Sequence, residues 1–140
     1  MSGFGDILAM GAAGMSAQRV RVQVASSNVA NAQVTRGPDG QPYKRLEAIF
    51  ESKSLDPFGS ALDQAMSRVE VKEIEANADY RRVHDPGHPD ADELGYVTLP
   101  DINTMQEMTD LMTASRGYEA NANVVDVVRE LAQRAIDLGG

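Results

Sequence analysis

The chain has 140 residues, 42% apolar and 24% charged, and its 13 basic against 21 acidic side chains leave a net charge of −8 at neutral pH, the profile of one domain or of one small domain with extensions. That acidic balance lacks the positive footprint that phosphate backbones demand, which argues against a nucleic-acid partner. The absence of cysteine removes disulfide frameworks, thiolate nucleophiles and cysteine-bound zinc together, and with 5% aromatics and no tryptophan a thick single core is not expected.

No cation precedes Arg19 and no apolar run approaches the roughly 18 residues that span a bilayer, so neither a secretory signal nor direct membrane insertion is expected. The chain would then stay in the cytoplasm, unless it is exported through an uncleaved, unfolded N-terminus. Pro38, Pro42, Pro57, Pro86, Pro89 and Pro100 all fall in the middle. Because a proline inside a helix costs about 3 kcal/mol, their confinement to residues 33–100 leaves both ends free to be long helices and turns the middle toward strands and turns.

In the first segment, residues 1–32, Leu8, Gly11, Met15, Gln18, Val22, Ala25 and Val29 follow one another at steps of three and four, which is a heptad seam. Its occupants are poor. Gly11 and Gln18 interrupt it, Val20, Val22 and Val24 are indifferent helix formers, and Ser26, Ser27 and Asn28 are worse, so this helix is not expected to stand alone. Gly3-Phe-Gly5 and Gly11-Ala-Ala-Gly14 are not preceded by a strand or followed by a Lys-Ser/Thr pair, and they read as sites of close helix approach rather than as a phosphate cradle.

The middle segment opens with a double turn signal, Gly37-Pro-Asp-Gly-Gln-Pro42, ahead of an expected strand at Tyr43 to Phe50. Arg68 to Glu75 reads as a second strand whose phase slips by one, as a bulge would cause. Residues 51–68 are polar and weakly patterned, with Ser60 to Met66 either a short helical turn or a loop. Tyr80 to Val83 and Gly95 to Leu99 are expected as two further strands around Asp85-Pro-Gly-His-Pro-Asp90.

The last segment, residues 101–140, starts behind Pro100 with Asn103 and Thr104, each followed three residues later by Gln106 and Glu107 in capping-box spacing. Leu111, Ala114, Tyr118, Ala122, Val125, Val128, Ala132 and Ala135 then hold a stripe, and Gly139 with Gly140 supplies a stop. A helix of about 35 residues is roughly 50 Å long, too long to bury its stripe in so small a domain without a partner of similar length. The first segment is that partner.

Several residue sets invite a chemical reading. His84 and His88 with Asp85, Asp90 and Asp92 form a legitimate divalent-metal set, but four-residue spacing brings two histidines together only on a helix, and Pro86, Gly87 and Pro89 exclude one here. The bland reading is a proline-set loop whose aspartates cap turns. Ser16 lacks the second glycine of a nucleophile elbow, so no catalytic residue, cofactor or small-molecule substrate is expected. Met10, Met15, Met105, Met108 and Met112 lie in the two helices, where thioethers suit an interface that adapts to several neighbours. Asn28, Asn31, Asn121 and Asn123 are poor helix formers placed inside helices. Buried amides must find partners, so they would specify how the helices align, within or between subunits.

The run Ala25-Ser-Ser-Asn-Val-Ala-Asn-Ala32 resembles the asparagine motif of the axial proteins of the bacterial flagellar rod and hook. Gly37-Pro-Asp-Gly-Gln-Pro-Tyr43, Asp85-Pro-Gly-His-Pro-Asp-Ala-Asp92, Gly95-Tyr-Val97 and Ala114-Ser-Arg-Gly-Tyr-Glu-Ala-Asn121 are similar, within that group, to the FlgC family of proximal-rod subunits. The resemblance covers nearly the whole chain. It implies an α+β fold with the terminal helices, 1–32 and 101–140, paired as a coiled-coil-like inner domain and 33–100 as a small β-rich central outer domain. It also implies a non-enzymatic structural subunit of the basal-body rod in the periplasm, exported without signal cleavage by the flagellar export apparatus and partnered by other rod subunits and copies of itself. Leu8, Met15, Val22, Ala25, Asn28, Val29, Asn31, Leu111, Ala114, Tyr118, Asn121, Ala122, Val125 and Val128 would then serve the assembly interface through the helical seams. The competing reading of the same helices is a soluble export adaptor or chaperone-type binding module.

Overall fold

The computed structural model describes residues 2–54 and 67–140. In chain order they form α1 (Ser2–Ala30), β1 (Arg45–Ser54), β2 (Ser67–Asn77), β3 (Tyr80–His84), β4 (Tyr96–Pro100) and α2 (Thr104–Gly139). Both proline-free ends are long helices and the proline-bearing middle is strand and turn, an α+β arrangement in which the helices flank two small antiparallel sheets. Among the described residues no helix is long and apolar enough to cross a membrane.

α2 starts where its cap signal lies: Asn103 is extended and its Oδ1 accepts a hydrogen bond from the Gln106 amide at 3.2 Å, and Gly140 closes the far end by donating its amide to the Ile136 carbonyl. α1 and α2 run antiparallel, with Gly11 beside Val125, Gly14 beside Asn121 and Gln18 beside Gly117. At these three crossings a side chain on the glycine would meet its neighbour at 2.6 to 2.9 Å, so the glycines are what let the backbones approach. Gly11 and Gln18, which interrupt the heptad on paper, are thus contact points. Leu8, Met15, Val22 and Val29 sit at the edge of the seam and are half-buried, while Ala17, Ala25 and Asn28 are buried. The buried face of α1 is wider than the expected seam because the helix serves two partners: Ala17 lines a hollow with Val69 and Val71 of β2, while Gly11, Gly14 and Gln18 meet α2.

These contacts separate glycines that the sequence alone cannot rank. Gly11→Ala is expected to lower stability by about 1 to 2 kcal/mol, since a methyl 2.6 Å from Val125 Cγ2 overpacks the seam by more than alanine's helix preference returns. Gly5→Ala, with nothing within 4 Å, is expected to stabilise by up to about 1 kcal/mol. Thermal melts of the two variants check the sign of each.

β1 and β2 pair from Arg45↔Asn77 to Ser54↔Ser67, and the register slips between Ile49 and Phe50, which face Glu73 and Val71. Lys72 is the extra residue, so the phase slip in β2 is a bulge. Leu46, Ala48, Phe50 and Ser52 share the face carrying Val69, Val71 and Ile74, while Glu47, Glu51, Glu70, Glu73 and Glu75 share the other. Lys53 lies 2.8 Å from Glu70 and 3.0 Å from Glu51, and its ammonium holds the Glu70 carboxyl below the usual carboxylate range.

The strand limits differ from those expected. β1 begins at Arg45 rather than Tyr43, because the Tyr43 amide closes the preceding loop onto the Val34 carbonyl, and it runs on to Ser54 because β2 pairs with it that far. β4 begins at Tyr96 rather than Gly95, whose φ of +80° makes it the turn residue between β3 and β4. The expected helical turn or loop at Ser60 to Met66 lies outside the described residues.

Candidate functional site

The residues that bind the elements together meet in one polar knot. Asn28, on the last turns of α1, has no exposed surface, and its amide is fully used. Oδ1 accepts from the Leu46 amide at 2.8 Å and from the Tyr43 hydroxyl at 3.1 Å, and Nδ2 donates to the Leu46 carbonyl at 2.9 Å and to Glu107 Oε2 at 3.1 Å. Glu107 is 4% exposed, and its other oxygen accepts from Arg45 Nε at 2.7 Å. Ser27 Oγ lies 3.0 Å from the Tyr43 hydroxyl. Both helices, the turn before β1 and β1 itself are therefore joined through one asparagine.

A buried carboxylate is costly unless it is paired and hydrogen-bonded, and Glu107 is both. The seam beyond it is rich in small residues, which by themselves permit sliding. A slip of α1 against α2 by one turn would leave the Glu107 carboxylate and the Asn28 amide buried without partners. The knot therefore selects one register of the helix pair and one placement of the hairpin upon it.

The fold treats the predicted seam residues unequally. Ala25, Asn28, Ala114, Val125 and Val128 are buried between the chain's own elements; Leu8, Met15, Val22, Val29, Asn31, Leu111, Asn121 and Ala122 are half-buried; Tyr118 is largely exposed. Asn31 and Asn121 do not join the knot: each donates Nδ2 to a carbonyl one turn back on its own helix, Ser27 and Gly117. Glu107, Arg45 and Tyr43 are the members that sequence reasoning missed. Glu107 had a signal, since it stands four residues before Leu111 in line with the apolar stripe, a place where a carboxylate requires a buried partner. It does not complete a capping box, because its side chain is turned to Arg45 and Asn28.

The histidine-aspartate loop is occupied by turn chemistry. His88 Nδ1 accepts from the Asp90 amide, Asp90 accepts from Thr35 Oγ1 and pairs with Arg36, and the His84 ring stands edge-on to Tyr96. Among the described residues no three such side chains converge as a metal set would. Asp92 Oδ1 accepts from the Tyr96 and Leu94 amides at 2.9 Å each while its Oδ2 pairs with Arg82, and these amide hydrogen bonds, led by that of Tyr96, hold its carboxyl below the usual carboxylate range. A depressed carboxyl contributes stability that is present above the ordinary carboxylate range and is lost as pH falls through the lowered value. The Leu94 and Tyr96 amides are thus expected to keep their protection until pH drops below the range in which free aspartates titrate, and Asp92→Asn is expected to abolish that acid transition, as amide resonances followed through a pH titration would show.

Residues 8–38 match the family model described as flagella basal body rod protein, and residues 93–138 the one described as flagellar basal body rod FlgEFG protein C-terminal. These two stretches hold most of α1 and nearly all of α2, so they include Asn28 and Glu107. The flagellar basal-body rod protein FlgC of Salmonella typhimurium is 37% identical over 135 residues that take in 96% of this chain and 96% of its own. FlgC of Aquifex aeolicus is 37% identical over 133 residues, 94% of each chain, and FlgC of Borreliella burgdorferi is 37% identical over 135, 88% of this chain and 89% of its own.

Proposed function

The chain belongs to the FlgC family of flagellar basal-body rod proteins and is a structural subunit of the rod, and on that footing we propose that its helix pair, held in register by the Asn28–Glu107–Arg45 knot, is the element that stacks with neighbouring rod subunits into a hollow axial structure and carries torque. In this reading residues 1–32 and 101–140 act as the inner domain, residues 33–100 as the outer one, and the seam residues from Leu8 to Val128 serve assembly by making the pair that neighbours meet. The work is done by shape and packing, without catalysis. The observation that carries the reading is the seam itself: glycines and small residues close along both helices and are pinned at one end by a buried polar knot.

Such a seam also suits a subunit delivered by the flagellar export apparatus to the periplasmic rod, because helices joined through Gly11, Gly14, Ala25 and Ala114 come apart more easily than a pair stapled by large side chains. The ordering of the helix ends is then coupled to assembly. Far-ultraviolet circular dichroism of the dilute chain should show less helix than the assembled form, and basal bodies purified from cells carrying a tagged copy should contain it in the rod. A chain fully helical when dilute, with a sharp melt, and absent from purified basal bodies would overturn the proposal and favour a free-standing adaptor. The relatives lend that adaptor reading no support.

A further inference from the structure

The fold divides the five methionines of the two helices. Met10 and Met15 on α1 are half-buried, and Met10 lines a hollow with Ala17, Phe50 and Val69. Met105, Met108 and Met112 on α2 are 73%, 51% and 56% exposed. They stand at steps of three and four, so their side chains form one ridge along the first turns of α2. At about 100° per residue the ridge lies between about 100° and 180° around the helix from Glu107 and Ala114. Those two are buried on the other side.

A thioether is apolar, yet its sulfur carries a lone pair that attacks electrophilic oxygen. With hydrogen peroxide the sulfur–oxygen bond forms as the O–O bond breaks, the sulfur is oxidised to the sulfoxide, and the leaving oxygen collects the second peroxide proton and departs as water. No other side chain takes part, so access of the oxidant to the sulfur decides which methionine reacts. Three arginines against seven acids give −4 for residues 101–140, and that charge does not repel peroxide, which is neutral. The reaction also leaves alone what holds α2 in place. The Asn103 cap and the hydrogen bonds of Asn28 and Arg45 to Glu107 use none of the three sulfurs. A sulfoxide oxygen on this ridge points into water and carries no burial cost, whereas one on Met10 or Met15 would be partly desolvated.

We propose that Met105, Met108 and Met112 are an oxidation site of this chain: peroxides convert them to sulfoxides while the helix pair stays closed, and this face of α2 turns from apolar to polar. The site works in the free chain and needs no neighbouring subunit, so it is independent of the rod reading above. Flexible thioethers on an exposed helix face combine two properties that no other apolar side chain offers together, an apolar surface and a chemical means of losing it.

Hydrogen peroxide treatment of the purified full chain, followed by peptide mass mapping of each methionine, tests this. In native buffer Met105, Met108 and Met112 gain oxygen at least about threefold faster than Met10 and Met15, and in urea the five rates converge, because only the fold separates them. Circular dichroism is unchanged when the three are converted, and native retention on a hydrophobic-interaction column falls. A chain carrying Met105→Leu, Met108→Leu and Met112→Leu together keeps its helix, since leucine is as good a helix former, and loses most of that retention change. Equal rates in native buffer, a difference that persists in urea, loss of helix as the three sulfoxides form, or a retention change of the same size in the triple variant each overturns the proposal.

Discussion

Asn28→Leu is expected to lower the stability of the chain by about 4 kcal/mol, more than Gly11→Ala. Leucine has the same number and branching of side-chain heavy atoms as asparagine, so no cavity opens, and the loss is mainly one of hydrogen bonds. It strips partners from the Leu46 amide and carbonyl, the Tyr43 hydroxyl and the Glu107 carboxylate at once. An orphaned buried polar group costs about 1 to 3 kcal/mol and an orphaned buried charge more, and these costs do not add fully because Tyr43 and Arg45 can turn toward water. Urea denaturation should show the midpoint falling with little change in slope. Tyr43→Phe, which removes a single hydroxyl, is expected to cost about 1 kcal/mol. If Asn28→Leu behaves like Tyr43→Phe, the knot is a set of independent contacts and not a register lock.

Val125→Asp is expected to abolish assembly while leaving expression intact. Val125 is buried, and its Cγ2 occupies the place that a side chain on Gly11 would fill, so no space exists for the carboxylate to turn outward while the backbones stay at this distance. Burying an unpaired carboxylate costs several kcal/mol, and the seam, made of small residues, has little apolar area with which to oppose it. The pair should open from the end opposite the Asn28–Glu107 knot, where among the described residues it lacks such a polar lock. Cells carrying the variant should be non-motile and their basal bodies should lack the chain, while immunoblots of whole cells still show it. Normal motility with this substitution would remove Val125 from the seam.

Much of this molecule is legible in its residue order because the relevant physics is local. Proline is costly inside a helix, so the six prolines between 38 and 100 marked the middle for strands and turns, and the Asn103 cap signal placed the start of α2 nearby. The period-two pattern of β2 even carried its bulge, since an extra residue shifts the alternation whatever the partner strand is. The family resemblance was legible in the same way, in short runs such as Ala25 to Ala32.

Tertiary structure alone decided which face of each pattern is used and with whom. The heptad on α1 counted Leu8, Gly11, Met15, Gln18, Val22, Ala25 and Val29 as the seam, but of these only Gly11 and Ala25 are buried, together with Ala17 and Asn28, while the large residues are left half-buried. Nothing local pairs Asn28 with Glu107, 79 positions away, or brings Arg45 to them. A hydrogen bond to a buried carboxylate exists only once burial has removed the competing water, and burial is a property of the closed fold. For the same reason Met105, Met108 and Met112 can be told apart from Met10 and Met15 only after α1 and α2 have closed on each other.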